Sequence, residues 1–309
     1  MSTIAHRVYD DRTPLTLDRS DLPSRPDHET VLLVSPTHFA VRYRINPYMG
    51  GRVVPGRALD QWMNVRRAYE RYANRVRIVD PDEIWPASDG AVPDVPVSLL
   101  PDLVFAANLA VPTADGGGVV LAQMATDERA GEPQHFQRWA LDDGYEVESL
   151  STTAAFEGTG DAIWHPGRRL LWGGYGVRTE RAAYDELAAL LDTPVVTLEL
   201  SDPHYYHLDV CFAPLTEDTA LIVPEAFTAA GRARIDALFD RVIEVPEHEA
   251  TGGLACNCHC VDDDHVLLAS GNPETERRLQ AAGFTPVPLD TGEFQKAGGS
   301  VCCLSLLLG

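Results

Sequence analysis

"GDAIWHPGRRLLWGGYGVRTERAAYDELAALLDTPVVTLEL", residues 160–200, decides how the fold is read. "GDAIWH" is a strand, "PGR" a turn and "RLLWGG" the returning partner. Thr179 reads as a helix N-cap ahead of "ERAAYDELAALL", whose apolar residues recur at helical spacing. "PVVTLEL" closes the segment as another strand. The module is therefore hairpin, amphipathic helix, strand.

The same order recurs on both sides. Downstream, "YHLDVCFAPL" and "TALIVP" form a hairpin, "EAFTAAGRARIDALF" a helix and "RVIEVP" a strand. "LACNCHCV" and "HVLLAS" then precede a helix opened by Asn272 and ended by Gly283, followed by "FTPVPL". Upstream, "DLVFAANLAV" and "GGVVLAQM" lead to a helix near "EPQHFQRWALDD" and to "YEVESL". The first module is less regular. It pairs "ETVLLVSP" with "FAVRYRI", then has a long helix near "RALDQWMNVRRAYERYA" and the strand "VRIVD".

Five ββαβ modules of roughly 50 residues have the period of a repeat architecture. The expected fold is α/β: a five-bladed α/β-propeller with pseudo-five-fold symmetry and its functional groups near the central axis. The final "SVCCLSLLL" returns as a strand that completes the ring and removes an exposed edge. An open α/β sheet in two domains accounts for the repeat less well. Residues 1–29 read as a mobile N-terminal arm and residues 30–309 as a single domain.

The 309 residues carry 46 acidic and 25 basic side chains, a formal charge of −21. That balance argues against nucleic-acid binding and against an anionic membrane surface, both of which need a basic footprint. The start "MSTIAHRVYDDRT" lacks the basic-then-apolar pattern of a signal peptide, and no apolar run approaches about 20 residues. A cytoplasmic protein with six reduced cysteines is the expectation.

Three stretches invite chemistry. "EGTGD" puts Glu157 and Asp161 around a glycine-rich turn, which suits a catalytic acid or a cation site but equally an ordinary exposed turn. In "YYHLDV", His207 and Asp209 are two apart on an expected strand, so both face one side. They can form an acid/base pair, or His207 can be a satisfied structural histidine. The tail "KAGGSVCCLSLLLG" offers Cys302 and Cys303 after a Gly-Gly pair that would let a substrate approach. "ACNCHC" places Cys256, Cys258 and Cys260 on one expected strand face. The spacing does not suit zinc, so no metal and no cofactor are expected.

Taken in order, these motifs resemble the guanidine-modifying enzymes of the pentein superfamily. The resemblance covers residue 30 to the C-terminus and rests on "INPYM", "LPDLVFAANLAV", "FEGTGDA", "YYHLDVCFAPL" and "EFQKAGGSVCCLSL". It implies that Cys303 is the nucleophile, His207 the general acid/base and Glu157 the carboxylate that grips a guanidinium. Asp209 becomes a second substrate carboxylate, with Asp161 also placed among the substrate-binding residues. Arg178, or alternatively Arg129, would hold the substrate's α-carboxylate. Asn108 stands where deiminases commonly have aspartate, and Asn46 is a second amide candidate. That pattern is similar to the arginine dihydrolase branch.

The implied activity is hydrolysis at the guanidino carbon of arginine or a methylarginine through a covalent amidino-thioether. Transfer of the amidino group to an amine is the alternative, followed by a non-enzymatic pentein-fold binding protein. The implied partner is a small guanidino substrate; homo-oligomerisation is left open.

Overall fold

The structure, a computed structural model, describes residues 7–26, 30–84 and 95–309. It contains five small sheets of one design. In the third, Ala162–Trp164 pairs antiparallel with Leu171–Tyr175. Helix Ala183–Leu190 then crosses over to Val195–Glu199, which lies parallel to Leu171–Tyr175. A hairpin needs only a turn, whereas a parallel neighbour needs a crossover, and the helix supplies it.

The second sheet repeats this with Ala110–Pro112, Gly118–Leu121, helix Glu132–Asp142 and Glu146–Glu148. The fourth has Phe212–Pro214, Thr219–Ile222, helix Ala229–Leu238 and Arg241–Glu244. The fifth has His259–Cys260, His265–Ala269, helix Pro273–Ala281 and Thr285–Leu289.

The first sheet departs from the expected hairpin. Thr30–Val34 is parallel to Arg75–Val79 across helix Pro55–Tyr72, but its antiparallel partner is Ser305–Leu308, from the chain's end. "FAVRYRI" is irregular loop, because the C-terminal strand already occupies that edge. Phe39 instead stacks on Phe294, with ring centroids 4.8 Å apart. The helix has Pro55 in its first turn, where the missing N–H costs nothing. It buries Ala58, Gln61, Trp62, Val65, Ala68 and Tyr69, one stripe at helical spacing.

Other expectations are corrected. Residues 1–6 and 27–29 of the arm lie outside the described residues. The remainder is fastened down: Val8–Tyr9 adds a fourth, parallel strand beside Val195–Glu199, and Tyr9 and Leu22 are buried in the core. Asp11 accepts an ion pair from the nearly buried Arg234 at 2.5 Å. Thr179 is not an N-cap, since the helix begins only at Ala183.

His207 and Asp209 are not on a strand. They flank and occupy a 3-10 turn, Leu208–Val210, ahead of the strand at Phe212. Cys256 and Cys258 lie in a turn and only Cys260 is in a strand, so the three do not form one strand face. Cys302 and Cys303 likewise sit in a turn before Ser305. In each case apolar alternation continues through a tight buried turn, which period-two reading cannot separate from strand. No described helix is long and apolar enough to cross a membrane.

Candidate functional site

Every unit presents a short turn just ahead of its hairpin-edge strand. Ala106–Asn108 precedes Ala110, Gly158–Gly160 precedes Ala162, and Leu208–Val210 precedes Phe212. The turns before His259 and Ser305 carry Asn257 and Cys303. Turn 158–160 packs on both 106–108 and 208–210. Gly158 permits this, having φ +59° and a position where a Cβ would come within 2.6 Å of the Ala107 carbonyl. The Ala107 N–H donates to the Cys303 carbonyl at 3.2 Å, tying the Cys303 turn to the same cluster.

Cys303 is buried, and its thiol donates to Asp209 Oδ2 at 3.1 Å. Burial raises the thiol well above its ordinary range, and the neighbouring Asp209 carboxylate raises it further. Burial also pushes Asp209 up to about 7, against the hydrogen bonds from Cys303 and Asn257. Sulfur and carboxylate therefore compete for protons in a dry site.

Across the cleft, His207 Nε2 lies 2.6 Å from Glu157 Oε2. Arg178 Nη1 donates to both Glu157 oxygens, at 3.2 and 3.1 Å. Burial alone would raise Glu157. The His207 hydrogen bond and charge, with Arg178 and Arg129, outweigh it and hold the carboxyl well below the usual range. Because Glu157 is ionised and accepts, Nε2 carries the imidazole proton. His207 Nδ1 is buried and unpartnered.

Asn108 Oδ1 accepts from Arg129 Nη1 at 2.8 Å. A guanidinium can only donate, so this fixes the amide with Nδ2 toward Glu157, whose carbonyl it reaches at 3.4 Å. Arg129 is itself clamped bidentately by Glu132, at 2.7–3.1 Å.

The nine expected residues thus divide. Cys303, Asn108, Arg129, Arg178 and Asn46 line one cleft whose free volume is about 10 Å³. Glu157 and His207 join it through Arg178, and Asp209 through Cys303. Asp161 does not line it. Its Oδ2 accepts from Thr179 at 2.7 Å and its Oδ1 from the Leu208 N–H at 3.0 Å, bracing one turn against the next. Burial pushes Asp161 up to about 6, opposed by the His207 charge and the Thr179 bond. Asn46 spends its amide on the Ala297 carbonyl and on the N–H groups of Tyr48 and Met49.

Sequence reading overlooked Asp102, Tyr206 and Asn257. Asp102 lines the cleft, with Oδ2 taken by Tyr43 and Oδ1 unpartnered. Asp102 in "LPDLVF" and Asn257 in "ACNCHC" shared one available signal, a polar residue inside an apolar run. Among the described residues, no group of three or more His, Cys, Asp or Glu side chains is placed to hold a metal ion.

Comparison with known proteins gives this arrangement a class. Residues 92–307 match the family described as "N,N dimethylarginine dimethylhydrolase, eukaryotic". The chain is 34% identical over 285 residues to the bifunctional arginine dihydrolase/ornithine cyclodeaminase ArgZ of Synechocystis, covering 91% of this chain and 38% of that protein. It thus spans well under half the length of that relative. It is 35% identical over 282 residues to the N(G),N(G)-dimethylarginine dimethylaminohydrolase of Mycobacterium tuberculosis, with 89% and 84% covered. The substrate-bound crystal structure of the N-terminal domain of ArgZ, an arginine dihydrolase from the ornithine–ammonia cycle in cyanobacteria, matches with a TM-score of 0.79. Identity there is 34%, over 90% of this chain and 97% of that one. The class is the pentein superfamily of guanidine-modifying enzymes. Within it, the chain belongs to the dimethylarginine dimethylhydrolase family.

Proposed function

We propose that this protein is a cysteine-dependent hydrolase of the guanidino carbon of arginine, of the arginine dihydrolase type. The five sheets are read as the blades of a closed propeller whose axis carries the clustered turns. The observation that carries the dihydrolase reading is a neutral amide in the cleft lining, Asn108, with its Oδ1 held by Arg129 and its Nδ2 on the Glu157 backbone carbonyl.

A guanidinium is planar and resonance-stabilised, so it must be held and polarised before attack. Glu157 and Asp209 supply carboxylates for charge-assisted bonds. Cation entry favours ionised Asp209 and an ionised Cys303 together, and the proton they release passes to His207, which becomes the imidazolium that serves as acid in the next step. The Cys303 thiolate then bonds to the guanidino carbon. The tetrahedral adduct expels ammonia, protonated by His207, whose imidazole is polarised by Glu157. His207 next takes a proton from water, which attacks the amidino-thioether and releases the ureido product and the thiolate.

The ureido group is neutral, and its oxygen needs a donor. Asn108 Nδ2 is such a donor, where an aspartate would repel. A second attack, loss of ammonia and hydrolysis give ornithine and carbon dioxide. Asp102, with an unpartnered buried oxygen, suits the substrate's α-ammonium group, and Arg129 or Arg178 its carboxylate.

The test is a product assay on arginine, dimethylarginine, agmatine and citrulline, with Cys303→Ser as control. Two ammonia and one ornithine per arginine are expected. Citrulline accumulating without ornithine would reject the second step. A new guanidino product only in the presence of an added amine would favour amidino transfer.

A further inference from the structure

Asn257 lies in the turn ahead of His259–Cys260 and is fully buried. Its side chain spends all of its hydrogen-bonding capacity on the nucleophile's surroundings. Oδ1 accepts from the backbone N–H groups of Ser300, at 3.1 Å, and Cys303, at 3.2 Å. Nδ2 donates to the Asp209 carbonyl at 3.1 Å and to Cys303 Sγ at 3.0 Å. The orientation is dictated by chemistry. Two backbone N–H donors can face only the amide oxygen, so the N–H₂ group must face sulfur and carbonyl.

A donor at a sulfur stabilises thiolate over thiol, since the hydrogen bond is charge-assisted only in the anion. The Ser300 backbone acts in the same direction, whereas the neighbouring acidic side chains act oppositely. Asp209 takes the thiol proton, and Cys302 is an adjacent potential anion. Asn257 is the side chain whose N–H is aimed at the sulfur, and it also fixes the Cys303 backbone. It therefore sets both where the sulfur sits and how readily it ionises.

We propose that Asn257 is a positioning residue that locks the Cys303 turn and stabilises the Cys303 thiolate. This rests on the reading of Cys303 as the nucleophile. Asn257→Asp is close to isosteric and keeps the oxygen that accepts from the Ser300 and Cys303 N–H groups, but it removes the donor to the sulfur and to the Asp209 carbonyl and places an anion at the sulfur. The rate of Cys303 alkylation by iodoacetamide, located by mass spectrometry, is followed against pH in wild type and variant. The midpoint should rise by about one unit or more, a tenfold loss of thiolate at neutral pH. kcat/KM on arginine should fall by at least about tenfold at neutral pH and recover as pH rises.

Superimposable alkylation profiles, with a pH-independent loss of activity, would overturn the proposal. If the variant does not fold, the Asn257 side-chain amide resonances of the wild type give the answer. They must shift when Cys303 is alkylated, and unchanged resonances would equally overturn it. The alkylation and NMR readouts need no guanidine turnover, so failure of the proposed hydrolase activity is separately visible in the wild-type product assay.

Discussion

Arg178 donates from one guanidinium nitrogen to both oxygens of Glu157, at 3.2 and 3.1 Å, in a cleft with only about 10 Å³ free. The protein's own guanidinium thus rests on the carboxylate proposed to hold the substrate's. A second nitrogen donates to the Ile45 carbonyl at 2.7 Å, and the group lies 5.3 Å from the Tyr206 ring centroid. A void of that size holds a water molecule at most. On the proposed grip by Glu157, substrate entry would displace Arg178, and a crystal structure with bound arginine should show it moved. If Arg178, once freed, is the proposed ligand of the substrate's α-carboxylate, Arg178→Ala should raise KM for arginine by at least about tenfold, with a smaller change in kcat. It should also lower Tm, because removing a partner strands part of a buried charge. A fall in KM would instead mark Arg178 as a plug.

The legible part of the fold was whatever depends on local periodicity. The order hairpin, helix, strand was readable in "GDAIWH…PVVTLEL" because turn, helix and strand each have a distinct period there. The return of the final apolar run as an edge strand was readable too, and Ser305–Leu308 makes it, but that it replaces "FAVRYRI" beside Thr30–Val34 was not, because that pairing spans nearly the whole chain. The turns before the edge strands were also hidden. Their residues are buried and alternate like the strand that follows, so His207 and Asp209 read as strand. Cys303, His207 and Glu157 were nominated by motif resemblance, but their contacts were not deducible. Nothing in "EGTGD" says that Asp161 turns away to Thr179 while Glu157 turns to His207.

Asp209 gives a stability prediction with a definite sign. Its carboxyl, pushed up to about 7 by burial, is higher in the folded state than in the unfolded one. Such a group's contribution is fully present below about pH 4, the unfolded value, and is lost as pH rises through about 7. Asp161, up to about 6, acts in the same direction. Tm should therefore decline between about pH 4 and pH 7. Asp209→Asn keeps an acceptor for the Cys303 thiol and removes the ionisation, which should flatten that decline. The difference at pH 8 is on the order of a few kcal/mol. The same variant should lose activity on arginine. A Tm profile that keeps its wild-type slope would reject the assignment.

The two adjacent cysteines should separate under a guanidine-like electrophile. Cys303 faces Asp209 and Asn257, whereas Cys302 offers its carbonyl to the Ser305 hydroxyl at 3.0 Å. A cationic amidine carrying a leaving group is drawn to the carboxylates and reaches Cys303 in place. The hydrogen bonds to carboxylate and amide go to the Cys303 sulfur and not to that of Cys302, although Cys302 is the more exposed of the pair. Modification should fall on Cys303 and be suppressed by arginine, as read by peptide mass mapping. Cys303→Ser should abolish labelling and reduce turnover by at least about a thousandfold, as expected for a lost covalent nucleophile. Labelling confined to Cys302 would reject the assignment.

On the proposed dihydrolase reading, Asn108 is the residue that would decide where the reaction stops. Its Oδ1 is committed to Arg129 and its Nδ2 is the group turned toward Glu157. Asn108→Asp preserves the bond to Arg129 and strengthens it by adding charge, so the fold around the Arg129–Glu132 pair should survive. The Nδ2 donor is lost and an anionic oxygen takes its place. A third carboxylate near the cation should leave guanidinium binding intact or tighter. A neutral ureido group, by contrast, would then present its oxygen to an acceptor. One such mismatch in a desolvated site costs on the order of 1–3 kcal/mol, roughly ten- to a hundredfold in rate. The expected result is citrulline accumulating from arginine, with ornithine formation reduced by that factor. Ornithine released at the wild-type rate would show that Asn108 does not govern the second step.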